Sequence, residues 1–361
     1  MDTNPTTGSA PSPGSSPSPG SSPSPGSSPS PGSSPSAAVA HDHDVIVVGG
    51  GAAGLAAATT LARARRDVLV LDTGEPRNAP AHGVHGFLSR DGISPRELLA
   101  VGRDELQQYG GRYRLVGATG ARPVDGGFEV QLEDGSAVTA RRVIVTTGLV
   151  DVLPEVPGLR EHWGTGVVHC PYCHGWEVRE RPLVVIASGP LAAHQALLFS
   201  QWSDDLTLLL NGQEGPTGEE AARLTAIGVE VVAGAVREIQ SSDGRVTGAV
   251  VESDGGPTVV PCEAVVVGPR FEARSTVLES LGVPTVDFMM GELALGTHVP
   301  SQPNTGATTV AGVFVAGNVT DPQLQVIHAA GAGVRVAAWV NLELVTEDAD
   351  RALALAGPQA G

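Results

Sequence analysis

The stretch Asp44-Val45-Ile46-Val47-Val48-Gly49-Gly50-Gly51-Ala52-Ala53-Gly54 decides how this chain folds. Five residues patterned as a short buried strand run straight into a glycine turn, and an alanine-rich helix continues to about residue 65. A second apolar strand, 68–71, ends on Asp72. Strand, G-x-G-x-x-G turn, helix, strand and terminal acid together form a βαβ nucleotide-binding unit. Gly49 permits the tight turn, Gly51 lets the backbone approach a pyrophosphate, and Gly54 lets helix and strand pack closely. Ala52 and Ala53 open the helix, whose N-terminus faces the phosphates. Asp72 lies 18 residues beyond Gly54, where a carboxylate accepts hydrogen bonds from ribose hydroxyls. A merely structural glycine turn would leave that acid unexplained.

Downstream, three segments read as strands closed by glycine: 142–147 before Gly148, 264–267 before Gly268-Pro269, and 312–316 before Gly317-Asn318. Between the first two lies another βα-like stretch, 183–187 followed by Ser188-Gly189-Pro190-Leu191-Ala192, a long helix pattern, and a strand at 206–210. The predicted class is α/β with two Rossmann-like domains. The first is discontinuous, at 41–155 and 286–350. A smaller nicotinamide-type domain is inserted at 156–285 and carries the C-x-x-C.

That motif is Cys170-Pro171-Tyr172-Cys173, followed by His174-Gly175. Two thiols three positions apart close into a disulfide with little backbone movement, and such a thiolate commonly has a pKa well below about 8.5. The alternative is half a zinc site, which needs two more ligands. The only other cysteine is the solitary Cys262, and His169 and His174 lie too close to the pair to complete a tetrahedron. Redox chemistry fits better, because the upstream nucleotide unit supplies an electron carrier, and no metal is expected. Cys262, preceded by Pro261 at the head of an apolar strand, reads as a core residue.

Composition narrows the field. Within 1–40, Pro-Ser-Pro-Gly-Ser-Ser recurs at residues 11, 17, 23 and 29, which predicts a disordered, partly polyproline-like tail without the features of a secretion signal. A second tail is expected at 351–361. Net charge is −17, from 22 basic and 39 acidic residues, and every basic residue is arginine. Without lysine, Walker-type phosphate binding and lysine Schiff-base chemistry are excluded. The acidic balance argues against nucleic acid and anionic membranes as partners, and no apolar run is long enough to predict a membrane span. One reactive pair with a lone cysteine suits a reducing compartment, so a cytoplasmic protein is expected.

Together these motifs resemble the low-molecular-weight thioredoxin reductases, from residue 44 to about 343. The matching pieces are the fingerprint 49–54, Thr146-Thr147-Gly148, Trp163-Gly164-x-Gly166-Val167 leading into Cys170-x-x-Cys173-x-Gly175, the segment 312–321, and the small-residue run Ala329-Ala330-Gly331-Ala332-Gly333. The resemblance implies FAD bound to the discontinuous domain, a homodimer, and a redox disulfide under the isoalloxazine ring. It makes Cys173 the thiol nearest the flavin and Cys170 the thiol that exchanges with substrate. It also places Thr147, Gly148, Gly317, Asn318, Gln325 and His328 at the cofactor, the last with a capping or packing role as the alternative. The helix after Asp321 would aim its positive end, equivalent to about half a charge, at the flavin pyrimidine edge.

Four departures from that pattern carry weight. His174 replaces the aspartate that follows the second cysteine and serves as general acid or base; histidine does that work with an ordinary pKa of about 6.5, the alternative being a hydrogen-bonded loop histidine. Asn318 replaces the acid that holds the ribityl chain. Ala187 stands at the first glycine of the second fingerprint. Leu210-Asn211-Gly212-Gln213-Glu214 lacks the cations that hold a 2′-phosphate, and Glu214 would repel it. NAD(P)H use is therefore doubtful. The dithiol oxidases of the gliotoxin and holomycin pathways resemble the chain in C-P-x-C-H-G and in a degraded nicotinamide site. That resemblance implies electrons passing from a small dithiol through Cys170 and Cys173 to FAD and then O2, with release of H2O2. An NAD(P)H-dependent reductase acting on a protein disulfide and a redox-sensing flavoprotein without small-molecule turnover are the alternatives. The stretch 82–95, with His82 and His85, is a candidate substrate lining.

Overall fold

The computed structural model describes residues 40–356; the repeats and residues 357–361 lie outside the described residues. The opening strand, His43–Val48, sits inside a seven-stranded sheet. Its order is Arg112–Leu115, Val68–Asp72, His43–Val48, Ala137–Val145, Gly127–Leu132, Ala118–Val124, with Val313–Val315 also paired to Ala137–Val145. His43–Val48 runs parallel to both neighbours, Val45 lying opposite Val68 and Arg142. Strands covered on both faces need no polar alternation, which accounts for the unbroken Val-Ile-Val-Val run. Helices Ala52–Arg63 and Val326–Ala356 cover one face, where Ala57, Ala58 and Leu61 share a core with Val336, Ala337 and Val340. Their contact depends on small residues: a methyl at Gly333 would overlap the carbonyl oxygen of Ala53. Arg66, Arg141 and Arg142 anchor the last helix through Glu343, Glu347 and Asp348.

The inserted unit is a parallel five-stranded sheet in the order Glu230–Val232, Leu206–Leu209, Leu183–Ile186, Ala264–Val267, Val167–Val168. Ala196 and Phe199 of helix Ala192–Phe199 pack on one face. The antiparallel strands Ala235–Ser242, Arg245–Ser253 and Gly256–Pro261 cover the other through Ile239, Ala249 and Val251. Cys262 lies in that same core, where burial pushes its thiol up to about 12 and leaves it a packing group.

Two strands carry the chain between the sheets. Leu149–Val152 leaves, Arg270–Ala273 returns, and they pair antiparallel with Val152 opposite Arg270. The return therefore precedes the expected boundary at 286. Helix Thr276–Ser280 already belongs to the first unit: Val277, Leu278, Leu281 and Val283 enter the core of its sheet, and Ser280 Oγ accepts a hydrogen bond from the Ala121 amide at 2.8 Å. The crossing is made by pairing between strands more than a hundred residues apart, which leaves no local signal. A second correction falls at the C-terminus. Residues 351–356 continue the helix instead of forming a tail, because alanine and leucine favour helix and Arg351 pairs with Glu347 one turn back at 2.8 Å. Among the described residues, no helix is long and apolar enough to cross a membrane.

Candidate active site

A cavity of about 750 Å³ receives residues from the fingerprint turn, the C-x-x-C segment and the start of the last helix. That size is in the usual range of small-molecule sites, about 300–1,000 Å³. Gly49 has φ +104°, and a methyl there would lie 2.6 Å from the Thr146 carbonyl oxygen. Thr146, from the matching piece Thr146-Thr147-Gly148, is a structural partner of this turn. Its Oγ1 donates to the Gly49 carbonyl at 2.7 Å and its amide to the Val48 carbonyl at 2.7 Å, which pins the turn to the neighbouring strand. At Gly54 a methyl would overlap the Gly49 carbonyl oxygen, whereas at Gly51 it would meet nothing within 4 Å. Gly51, Ala52 and Ala53 thus present an open helix N-terminus to the cavity. Asp72 receives Tyr113 Oη at 2.7 Å and the Gly74 amide at 3.2 Å, both at Oδ2. Among the described residues Oδ1 has no protein donor and is available to a ribose. Burial and Asp72 raise the Tyr113 phenol to about 12, so it remains a donor. These features fit the adenosine, ribose and pyrophosphate of FAD.

The remaining expected cofactor residues divide. Thr147 and Gly148 line the cavity and tie the leaving strand to the returning one: Thr147 Oγ1 donates to the Arg274 carbonyl at 2.6 Å, and the Arg274 amide donates to Gly148 at 3.0 Å. Gly317 lies behind the lining, close against Ala53. Asn318 lines the cavity, and its Nδ2 donates to the carbonyls of Asp321, Pro322 and Leu324 at 3.1, 3.2 and 2.9 Å. An aspartate could not make those bonds. Gln325 lines the cavity, as do Val326 and Ala329, but the exposed His328 does not. At 3.6 residues per turn it stands about 200° around the helix from Val326.

Cys170 and Cys173 are joined in a disulfide, with Cα atoms 5.2 Å apart, and both line the cavity. Cys170 caps the single helical turn Pro171–His174 and Cys173 lies within it; the first position suits proline because its missing N–H has no partner to lose. Trp202 packs under this turn, since a methyl at Gly175 would lie 2.7 Å from its ring. His174 also lines the cavity, and both of its ring nitrogens are buried without a protein hydrogen bond. Burial lowers its pKa; Glu177 opposes that shift, and His85 and His82 add to it. The favoured form at pH 7 is thus the neutral imidazole, with one nitrogen free to accept a proton.

The cavity also holds residues that sequence motifs did not reveal. Arg77 grips Asp151 with two bonds of 2.6 Å, bracing the loop after Asp72 against the leaving strand. His169 stands edge-on to Phe271 with ring centroids 5.4 Å apart, and burial drives its pKa down to about 4. Only the adjacency of His169 to Cys170 hinted at such a place. Among the described residues, no group of three or more potential ligands could hold a metal.

The second fingerprint is built differently. Asn211 Nδ2 and Gln213 Nε2 both donate to the Ala187 carbonyl, at 3.3 and 3.1 Å, and Asn211 Oδ1 accepts from the Val236 amide at 3.0 Å. The two amides that follow the strand Leu206–Leu209 fold back onto the turn that would face a nucleotide.

A nucleotide-binding fold that presents a disulfide to its own cofactor cavity defines a disulfide oxidoreductase. The chain belongs to the pyridine nucleotide-disulphide oxidoreductase family, whose profile matches residues 43–333, and it is an oxidoreductase of a family that implies a flavin. It is similar to the thioredoxin reductase sirT of Leptosphaeria maculans, 31% identical over 321 residues, 84% of this chain and 95% of that protein. A relative from Arthroderma benhamiae is 37% identical over 183 residues, 48% of this chain and 45% of its own length. Among solved structures, HlmI superposes with a TM-score of 0.78 at 40% identity, covering 87% of this chain and 96% of that one.

Proposed function

We propose that this protein is an FAD-dependent dithiol oxidase that converts a small dithiol to its disulfide and reduces O2 to H2O2. The observation that carries this reading is the self-closed second fingerprint, where Asn211 and Gln213 occupy the Ala187 carbonyl and no arginine stands at 210–214. Each lost charged hydrogen bond to a 2′-phosphate weakens binding by about 1.5–3 kcal/mol, so losing two or three makes NADPH a poor donor. In this reading Asp72 holds the ribose and the amides at the start of helix Ala52–Arg63 hold the pyrophosphate. When bound, FAD supplies a two-electron acceptor for the cysteine pair that oxygen reoxidises.

The chain's own residues then carry out thiol exchange. His174 takes the proton of the first substrate thiol at a ring nitrogen as that sulfur attacks Cys170 Sγ, and Cys173 Sγ leaves as a thiolate. The second substrate thiol attacks its own half of the mixed disulfide and releases Cys170, whose sulfur takes up that thiol's proton. The products are a substrate disulfide and a reduced cysteine pair, with two electrons moved. A homodimer in solution is part of this reading, and light scattering tests it.

The deciding experiment is anaerobic mixing of the flavoprotein with NADPH or NADH, followed by a small dithiol under air. Slow or absent flavin bleaching by either nucleotide is expected, then disulfide and H2O2 in equal amounts. Rapid bleaching by micromolar NADPH coupled to reduction of a protein disulfide would instead establish the reductase.

A further inference from the structure

Segments far apart in sequence converge on the residue that precedes Cys170. Asp151 of the leaving strand and Phe271 of the returning strand stand opposite each other in the antiparallel pair. Arg77, from the loop after Asp72, places two bonds of 2.6 Å on Asp151 and its guanidinium carbon 5.6 Å from the centre of the Phe271 ring. That separation is within cation–π range. His169 meets the same ring with centroids 5.4 Å apart, and its backbone runs directly into Cys170. A continuous set of contacts therefore leads from Asp151 through Arg77 and Phe271 to His169 and the first cysteine.

The loop that carries Arg77 touches the inserted unit a second time. Gly164 has φ +85°, and a methyl there would lie 2.8 Å from Pro80 Cβ. The Gly164 amide donates to the Val167 carbonyl at 2.8 Å, so the loop bears on the strand that delivers His169. The Asp151 side chain is only 8% exposed. Removing its partner would leave a buried charge uncompensated, so the pair holds its geometry firmly. The groups that act on the charge of His169 belong to the same assembly: burial, Arg77 and His174 oppose its protonation, and Asp151 favours it.

We propose that Arg77 is a positioning residue for the redox disulfide: clamped on Asp151, it sets Phe271 and through that ring His169, so that Cys170 and Cys173 stay turned to the cofactor cavity. The disulfide is common to an oxidase and a reductase, so this role stands or falls independently of the electron acceptor. The competing role is a brace between the two connecting strands that serves stability alone. Loss of Arg77 would then lower the melting temperature and leave electron passage unchanged.

The test uses the FAD-loaded full-length protein and dithiothreitol under anaerobic conditions. Dithiothreitol closes to its ring disulfide as the cysteine pair gains two electrons and two protons. The pair then re-forms its disulfide, giving two electrons and one proton to FAD and the other proton to solvent. In Arg77→Met the limiting rate of flavin bleaching at saturating dithiothreitol should fall about tenfold, as for reacting groups displaced by a fraction of an ångström. The slope at low dithiothreitol, which reports attack on the disulfide, should stay within about threefold, because attack precedes the step that needs the alignment. Rapid alkylation should trap two thiols ahead of bleaching. In a His169→Ala background, Arg77→Met should cost less than about twofold more, since the two residues act through one chain of contacts. Asp151→Asn, an isosteric change, should reproduce the loss in the same sense. Without cofactor, histidine NMR of Arg77→Met should show His169 titrating at higher pH than in the wild type. A wild-type limiting rate in Arg77→Met or Asp151→Asn would overturn the proposal. So would losses from Arg77→Met and His169→Ala that multiply, as for a direct contact of Arg77 with FAD, or an unchanged titration of His169.

Discussion

Replacing Gly51 and Gly54 by alanine, one at a time, separates cofactor contact from folding within a single motif. At Gly54 the added methyl would overlap the Gly49 carbonyl oxygen and lie 2.6 Å from Thr146 Oγ1. Carbon–oxygen contacts are comfortable only beyond about 3.3 Å, so either the helix or the turn must move by roughly 1 Å. Overpacking costs about 1–3 kcal/mol, and a backbone neighbour places this case at the upper end. Thr146 would also lose a hydrogen bond contributing about 1 kcal/mol. Gly54→Ala should therefore destabilise even the apoprotein by about 3 kcal/mol, a melting shift on the order of 5–10 °C. At Gly51 the methyl meets nothing within 4 Å, and φ −74° with ψ −172° suits any residue. Gly51→Ala should keep apoprotein stability within about 1 kcal/mol. Its methyl would instead stand where the pyrophosphate approaches, raising the FAD Kd by about 30–100-fold, or about 2–3 kcal/mol. Urea melts of apoprotein and a fluorescence titration with FAD read the two quantities separately. A Gly51→Ala protein that unfolds early yet binds FAD normally would refute this division, as would a Gly54→Ala protein of unchanged stability.

Three further outcomes are expected. His169 is held down to about 4 by burial, against about 6.5 when unfolded, so the unfolded chain binds the extra proton between those values. Stability should rise with pH across this window and fall on acidification through it, by on the order of 2–3 kcal/mol; urea melts at pH 4.5 and 7 should show a smaller difference in His169→Phe, and equal differences would refute the assignment. Asn318→Asp exchanges an amide whose two N–H groups are shared among the 321, 322 and 324 carbonyls for repulsion, so hydrogen exchange in that loop should speed up and the melting temperature should fall. Unchanged protection there would mean that the amide does not hold the loop. Cys170→Ser, which retains Cys173, should show long-wavelength absorbance from a thiolate beside the flavin, and Cys173→Ser should not; the opposite pattern would exchange the two thiol roles.

The sequence alone determined the elements whose chemistry is local. A buried strand, a glycine turn and a terminal acid are neighbours along the chain, so the βαβ unit and the places of Gly49, Gly51 and Asp72 could be read without coordinates. The same holds for Cys170, Cys173 and His174, which lie within one helical turn. Tertiary structure decided what depends on meetings between distant segments. The return strand Arg270–Ala273 is defined by its pairing with Leu149–Val152, and no residue near 270 announces it. Asn211 and Gln213 read as lost phosphate ligands, but only folding brings both amides to the Ala187 carbonyl. His328 follows the lining residues Gln325 and Val326 in sequence, but its side chain is exposed and lies outside the cavity lining. His85 and Glu177 are 92 residues apart and meet at 3.4 Å because a loop of the first unit closes over the redox turn of the second. Periodicity and turn chemistry act over a few residues, whereas a site assembled from several loops depends on how whole sheets pack.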